Sequence, residues 1–154
     1  EENEVNGGSY RLYARTYKEG SIPFNEKFTK EDYQSFFRRI EENKKKCVDF
    51  IKKVVAEGKK VYVYGASTKG NTILQYYGLD NKLIKGAADK SPEKWGRYTI
   101  GTMIPIMDEE KARADADYFL VLPYAFLDEL LKREEVWLAK GGKFIVPLPE
   151  FRMI

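Results

Sequence analysis

Lys60-Val61-Tyr62-Val63-Tyr64-Gly65-Ala66-Ser67-Thr68-Lys69-Gly70-Asn71-Thr72-Ile73-Leu74-Gln75-Tyr76-Tyr77 decides the fold. Alternating Val and Tyr favour a strand over Val61 to Tyr64, because branched and aromatic side chains suit a pleated surface. A turn bounded by Gly65 and Gly70 follows, and Gly70 to Tyr77 reads as a short helix ended by Gly78. Amides at the start of that helix lack internal partners and sit at the positive end of its dipole. A strand, a glycine-bounded turn and a helix therefore make an anion-binding site of the nucleotide type.

Downstream, strands and helices alternate. Leu83 to Ala88 reads as a strand, Asp108 to Ala114 as a helix, and Tyr118 to Leu122 as a third strand with a continuous apolar run. Ala125 to Ala139 reads as a helix closed by Gly141-Gly142, and Lys143 to Val146 as a fourth strand. Alternation of this kind predicts an α/β, Rossmann-like three-layer domain with a mainly parallel sheet. Right-handed crossovers favour the order second, first, third, fourth for these strands. The ligand crevice then lies beyond the carboxyl ends of the strands, between the turn after Tyr64 and the turn after Leu122.

Upstream, a long helix precedes Gly58. Thr29 is its expected N-cap, with Asp32 completing a capping box. Tyr33, Phe36, Phe37, Ile40, Cys47, Phe50, Ile51, Val54 and Val55 recur at spacings of three and four, which predicts one buried stripe. Residues 1 to 28 differ in character. Tyr10, Leu12 and Ala14 alternate with Arg11, Tyr13 and Arg15, a period of two that reads as one short strand with no obvious partner nearby. Gly20 to Phe24 reads as a linker. The expected division is therefore 1–28, the end of an upstream domain plus linker, and 29–154, the Rossmann-like domain. The acidic start at Glu1-Glu2 reads as a fragment boundary.

Composition excludes several chemistries. The chain has 154 residues, one cysteine and no histidine. Serine and cysteine nucleophiles activated by histidine are thereby excluded within these residues, and a zinc site is not expected. A net charge of +3, from 27 basic and 24 acidic residues, does not call for nucleic acid. No apolar run approaches the roughly 20 residues of a membrane span, so no membrane partner is expected. The lone Cys47 fits a reducing, cytoplasmic setting.

Two familiar motifs nearly fit the turn. The Walker A pattern needs Lys and then Ser or Thr after its second Gly, and Asn71 stands where that Lys belongs. The dinucleotide fingerprint needs Gly where Ser67 stands. NTP hydrolysis and a standard dinucleotide site are both disfavoured. Ser67, Thr68 and Thr72 remain as hydroxyl donors and Lys69 as a charge, or Thr72 only caps the helix. Asp89, nineteen residues after Gly70, stands where a carboxylate takes a ribose or sugar diol. In the following loop Arg97 suits a phosphate, while Trp95 and Tyr98 either stack on a base or pack the loop against the sheet edge.

Taken in order, these residues resemble the C-terminal domain of S-adenosylmethionine-dependent sugar C-methyltransferases, which methylate a carbon of a nucleotide-linked deoxysugar. The resemblance rests on Tyr64 to Thr72, Asp89-Lys90-Ser91-Pro92, Gly96-Arg97-Tyr98-Thr99, Gly101-Thr102, Ile104-Pro105-Ile106, Leu122-Pro123-Tyr124 and Gly141 to Pro147. Asn6 to Arg11 is similar to the closing strand of that family's methyltransferase domain. Ile100 stands where the family usually has Pro, and Tyr124-Ala125 where it has Trp-Asn, which alters a contact at the mouth of the third strand.

The resemblance implies that S-adenosylmethionine, zinc and the catalytic base belong to upstream parts of the parent polypeptide. These 154 residues then carry no catalytic group and no cofactor of their own. Their implied role is to hold the nucleotide-sugar against the upstream methyltransferase domain. Gly65, Ala66, Ser67, Thr68, Lys69, Gly70, Asn71 and Thr72 are implied on the phosphate side. Asp89, Lys90, Arg97, Tyr98 and Tyr124 are implied toward sugar or base. The alternatives are an NAD- or nucleotide-binding module of another class and a scaffold that binds nothing.

Overall fold

The computed structural model describes residues 2–3, 9–14, 16 and 27–154. The chain divides into two compact units, Glu1–Arg38 and Arg39–Ile154.

In the first unit, β1 (Glu2–Asn3) pairs antiparallel with β2 (Ser9–Tyr10). The strand expected near Tyr10 thus has a local partner, and it ends at Tyr10. Leu12 and Tyr13 are 89% and 75% exposed, so the alternation beyond Tyr10 serves no buried face. The linker expected at Gly20 to Phe24 lies outside the described residues. Helix α1 (Lys30–Ala56) starts here, and its capping box forms as expected. The Thr29 N–H donates to Asp32 Oδ2 at 2.8 Å, and the Asp32 N–H donates to Thr29 Oγ1 at 3.2 Å.

The second unit is an α/β sandwich. Its strands are β3 (Val61–Tyr64), β4 (Gly86–Asp89), β5 (Ile106–Asp108), β6 (Tyr118–Val121), β7 (Lys143–Val146) and β8 (Arg152–Met153), in the order β5-β4-β3-β6-β7-β8. Every pairing is parallel except β7 with β8. The four strands expected from sequence take their expected order. The edge strands β5 and β8 were not foreseen, because three and two residues are too few to show a period. Its further helices are α2 (Thr68–Tyr77), α3 (Glu109–Asp115), α4 (Leu127–Arg133) and α5 (Glu135–Ala139). The single helix expected over Ala125 to Ala139 is broken at Glu134, which bridges α4 and α5 with non-helical backbone.

Strand alternation sorts the core. Val61 and Val63 point to one face with Cys47 and Ile51 of α1 and Ile73, Leu74 and Tyr77 of α2. Tyr62 and Tyr64 point to the other, with Ala112 of α3, Leu127 and Leu130 of α4, and Trp137 of α5. On α1 only the carboxyl half of the expected stripe is buried. Cys47, Ile51 and Val54 are at most 3% exposed, whereas Tyr33, Phe36 and Phe37 are 52%, 56% and 58% exposed. Cys47 is a core residue, and burial pushes its thiol pKa up to about 12.

A buried ionic cluster fixes the second face. Glu134, 2% exposed, accepts from the Tyr64 hydroxyl at 2.7 Å and from Arg113 Nε at 2.6 Å. Arg133 pairs with Glu109, and Arg113 lies 3.8 Å from the same carboxylate. Burial works to raise the Glu134 carboxyl, but the bonds from Arg113 and Tyr64 outweigh it and hold it below its ordinary value of 4.5. On acidification the unfolded chain therefore takes up this proton first. The stabilising contribution is full above pH 4.5 and is lost as pH falls through the folded value. Glu134→Ala leaves Arg113 and Tyr64 without their partner, and urea unfolding should show a loss of about 3 kcal/mol. The same variant should flatten the loss of stability on acidification.

Candidate functional site

The turn after β3 stands where the strand order switches, with β4 on one side of β3 and β6 on the other. Gly65 has φ +85°, the left-handed region, and its position faces the Pro123 ring after β6. Gly70 lets α2 approach β6, since a Cβ there would lie 2.7 Å from Leu122 Cδ1 and 3.2 Å from Leu122 Cβ. Gly70 is thus explained by the close passage of α2 over Leu122, and Gly65 by its left-handed backbone.

Asp89 ties the turn down. The last residue of β4, it is 7% exposed. Its Oδ2 accepts from the Ala66 N–H at 2.9 Å and from Lys94 Nζ at 3.0 Å, and its Oδ1 from the Ser91 N–H at 2.9 Å. Lys94 also donates to the Ala66 carbonyl at 3.1 Å, and the Gly65 N–H donates to the Ala88 carbonyl at 2.8 Å. Trp95 Nε1 donates to the Asp89 carbonyl at 2.8 Å, which orders the loop that brings Lys94 back. The carboxylate expected at a sugar diol has three of its lone pairs engaged by this chain. Burial works to raise its pKa, but the bonds from Ser91, Lys94 and Ala66 prevail and hold it below 3.8.

Ser67 caps α2. Its Oγ accepts from the Gly70 N–H at 3.0 Å, so one of the helix's orphan amides is satisfied internally. Its hydroxyl hydrogen remains a donor. Thr72 does not cap the helix; its Oγ1 lies 3.5 Å from the Thr68 carbonyl. Thr68 and Lys69 lie exposed in the first turn, which holds no acidic residue.

One side of α2 borders a cavity of about 510 Å³, lined by Thr68, Asn71, Thr72, Gln75, Tyr76 and Ile100. None of these side chains is charged, and Asn71 Oδ1 is buried with no hydrogen-bond partner. Gln75 Nε2 donates to the Ile100 carbonyl at 3.0 Å, which holds the loop against the helix. The structure thus gathers Thr68, Asn71 and Thr72 around one concavity. It does not gather Arg97 and Tyr98 there. The backbone around them pairs along the outer edge of β5, through Ile106 N–H to the Arg97 carbonyl and a bridge between Tyr98 and Pro105. At about 4.8 Å per strand, β5 lies two strands, roughly 10 Å, across the sheet from β3. Lys90 is exposed just past Asp89, and Tyr124, half-buried, packs against both cores at the mouth of β6.

Lys94, Gln75 and Tyr76 were not foreseen. Lys94 sits in a loop crowded with donors, and nothing in its spacing singles it out. Gln75 follows Asn71 and Thr72 at helical spacings of four and three, a signal that was readable.

The family model for the C-methyltransferase C-terminal domain matches residues 4–149. The chain belongs to this family. A curated relative, the C-methyltransferase NovU of Streptomyces niveus, is 37% identical over 123 residues, covering 79% of this chain and 29% of the relative. The chain thus spans about three tenths of the length of the curated relative it matches. Among the described residues of this family member, no group of His, Cys, Asp and Glu could hold a metal ion. No helix among them is long and apolar enough to cross a membrane.

Asp89→Asn puts an amide where two donors converge, and should cost about 2 kcal/mol in urea unfolding. The folded carboxyl titrates below its unfolded value, so its contribution is full above 3.8 and is lost as pH falls through the folded pKa. The variant should therefore lose less stability than the parent chain as pH is lowered.

Proposed function

We propose that this domain positions a nucleotide-linked deoxysugar for C-methylation by the parent polypeptide, an S-adenosylmethionine-dependent C-methyltransferase of the cytoplasm. Membership of the C-methyltransferase C-terminal domain family is the observation that carries the reading. The placement of the turn at the strand-order switch supports it. In this reading the first turn of α2, with Lys69 and no acidic side chain, takes the phosphates. The uncharged cavity beside it takes the neutral sugar or base, with Thr68, Asn71 and Thr72 as hydrogen-bonding groups. Gly65, Ala66 and Ser67 supply the turn's backbone and cap, Gly70 its close approach to β6, and Tyr124 the wall at the mouth of β6. Asp89 acts with Lys94 as the brace that keeps the turn in shape, and it is not a direct ligand. Lys90, Arg97 and Tyr98 lie on the outer flank and meet the ligand's far end or the neighbouring methyltransferase domain.

Methyl-donor and zinc chemistry fit residues of the parent polypeptide outside this chain, since the sequence has no His and its one Cys is buried. What this chain does for the reaction is to orient substrate. Fixing the sugar against a separately bound methyl donor lowers the entropic part of the barrier.

Calorimetry on the parent polypeptide tests the reading. Nucleotide-sugar should bind and NAD should not. Asn71→Ala and Thr68→Val should each weaken nucleotide-sugar binding by about tenfold, as expected for one hydrogen bond to a buried group. NAD binding without nucleotide-sugar binding would show a nucleotide module of another class. Unchanged affinity in both variants would show a scaffold.

A further inference from the structure

A second cavity, of about 640 Å³, lies on the face of the sheet opposite α2, between α3 and the pair α4 and α5. Much of the charge around it is already paired. Glu134 at its floor holds Arg113 through bonds of 2.6 and 2.8 Å and accepts the Tyr64 hydroxyl. Arg133 pairs with Glu109, and Asp117 accepts the Lys60 N–H at 2.8 Å and Lys59 Nζ at 3.2 Å. What is left over is mostly donors. Arg113 and Arg133 each keep one terminal nitrogen, Nη1, that donates to no described residue. Lys140 and Glu110 also line the cavity, and neither has an ion pair among the described residues. Trp137 is 8% exposed, its ring packed on Phe119 at 4.8 Å and on Gly142, where a Cβ would lie 2.4 Å from the indole. Its indole N–H bonds to no described residue and is not closed off from solvent, so it opens on the cavity that the ring lines. A donor so placed calls for an acceptor.

We infer that this cavity is a second ligand site, built for a small organic monoanion: a carboxylate on a flat ring, with a hydroxyl at its far end. The uncommitted donors are two guanidinium nitrogens, an ammonium and an indole N–H, which together suit a carboxylate. Glu134 and Glu109 hold both guanidiniums in place and already balance their charge. Lys140 is then the one lining cation that no carboxylate offsets, so a single negative charge fits and a phosphate dianion does not. Ala114, Ala116 and Gly142 leave a slot without bulk on its walls, which admits a flat body. The Lys143 N–H donates to the Asp117 carbonyl at 3.2 Å, so Lys140 lies at the Ala116 end of the slot. Glu110 stands six residues back along α3, about 9 Å up the helix axis, where its carboxylate can accept from a hydroxyl. The site is separate from the α2 flank and does not rest on the functional reading above.

Proton–nitrogen correlation spectra of the 154-residue chain, titrated with 4-hydroxybenzoate, test the site. The chain has two Trp and so two indole N–H signals, which Trp137→Phe assigns. The Trp137 signal should move on titration, while that of Trp95, bonded to the Asp89 carbonyl, stays in place. Lys140→Gln, an exposed position, should weaken binding by about tenfold, as should exchange of the probe for the uncharged 4-hydroxybenzyl alcohol. Benzoate, which lacks the hydroxyl, should bind about fivefold more weakly and be insensitive to Glu110→Gln. Movement of the Trp95 signal in place of Trp137 would put the anion near the turn after β3 and overturn the inference. Still signals from both at millimolar probe would overturn it too, as would unchanged affinity in Lys140→Gln. Displacement of the probe by an equal concentration of inorganic phosphate would show a general anion site and contradict the ligand class.

Discussion

Leaving a backbone amide, a lysine and a carboxylate together at the end of a buried strand is tolerable only if they satisfy one another, and Asp89 is where that happens. Its carboxylate takes the Ala66 N–H, the Ser91 N–H and the Lys94 ammonium, all within 3.0 Å. The turn after β3, 23 residues back in sequence, meets on it with the end of β4 and the loop that follows directly. Gly65 can then stay in the left-handed region against Pro123, and α2 starts from a fixed point over Leu122. On the opposite face Glu134 holds the Tyr64 hydroxyl in the same way, so the strand that enters the turn is anchored from below. Both approaches to the turn are held by carboxylates whose donors come from this chain.

The first turn of α2 keeps a positive end with no acidic side chain, while the flank beside it is a neutral, hydroxyl- and amide-lined concavity. A ligand with a charged middle and uncharged polar ends matches this division better than a triphosphate, for which the chain offers Asn71 where a lysine would be needed.

Much of the fold was legible because its signals are local. Val61 to Tyr64 reads as a strand from side-chain type alone, and right-handed crossovers then dictate the order of four strands. The capping box at Thr29 and Asp32 was legible for the same reason. The edge strands were not, being too short for a period, and Glu134 breaks a helix that its own sequence would continue. Its bond to Tyr64 spans 70 residues and leaves no local trace. The aromatic stripe of α1 shows the complementary limit. Periodicity reveals that Tyr33, Phe36 and Phe37 share a face, but not whether this sheet or another body covers it. At the site the glycines were readable as a turn, but the cap expected at Thr72 falls on Ser67. The partner of Asp89 was not readable, because a carboxylate at that spacing suits a diol and a buried brace equally.

The central claim is that the turn and the first two turns of α2 form one wall of the substrate pocket. Hydrogen exchange of the parent polypeptide, with and without nucleotide-sugar, tests it most directly. Binding should slow exchange of the amides from Ala66 to Tyr77. Unchanged exchange across that segment, with protection appearing only in the rest of the polypeptide, would contradict the account.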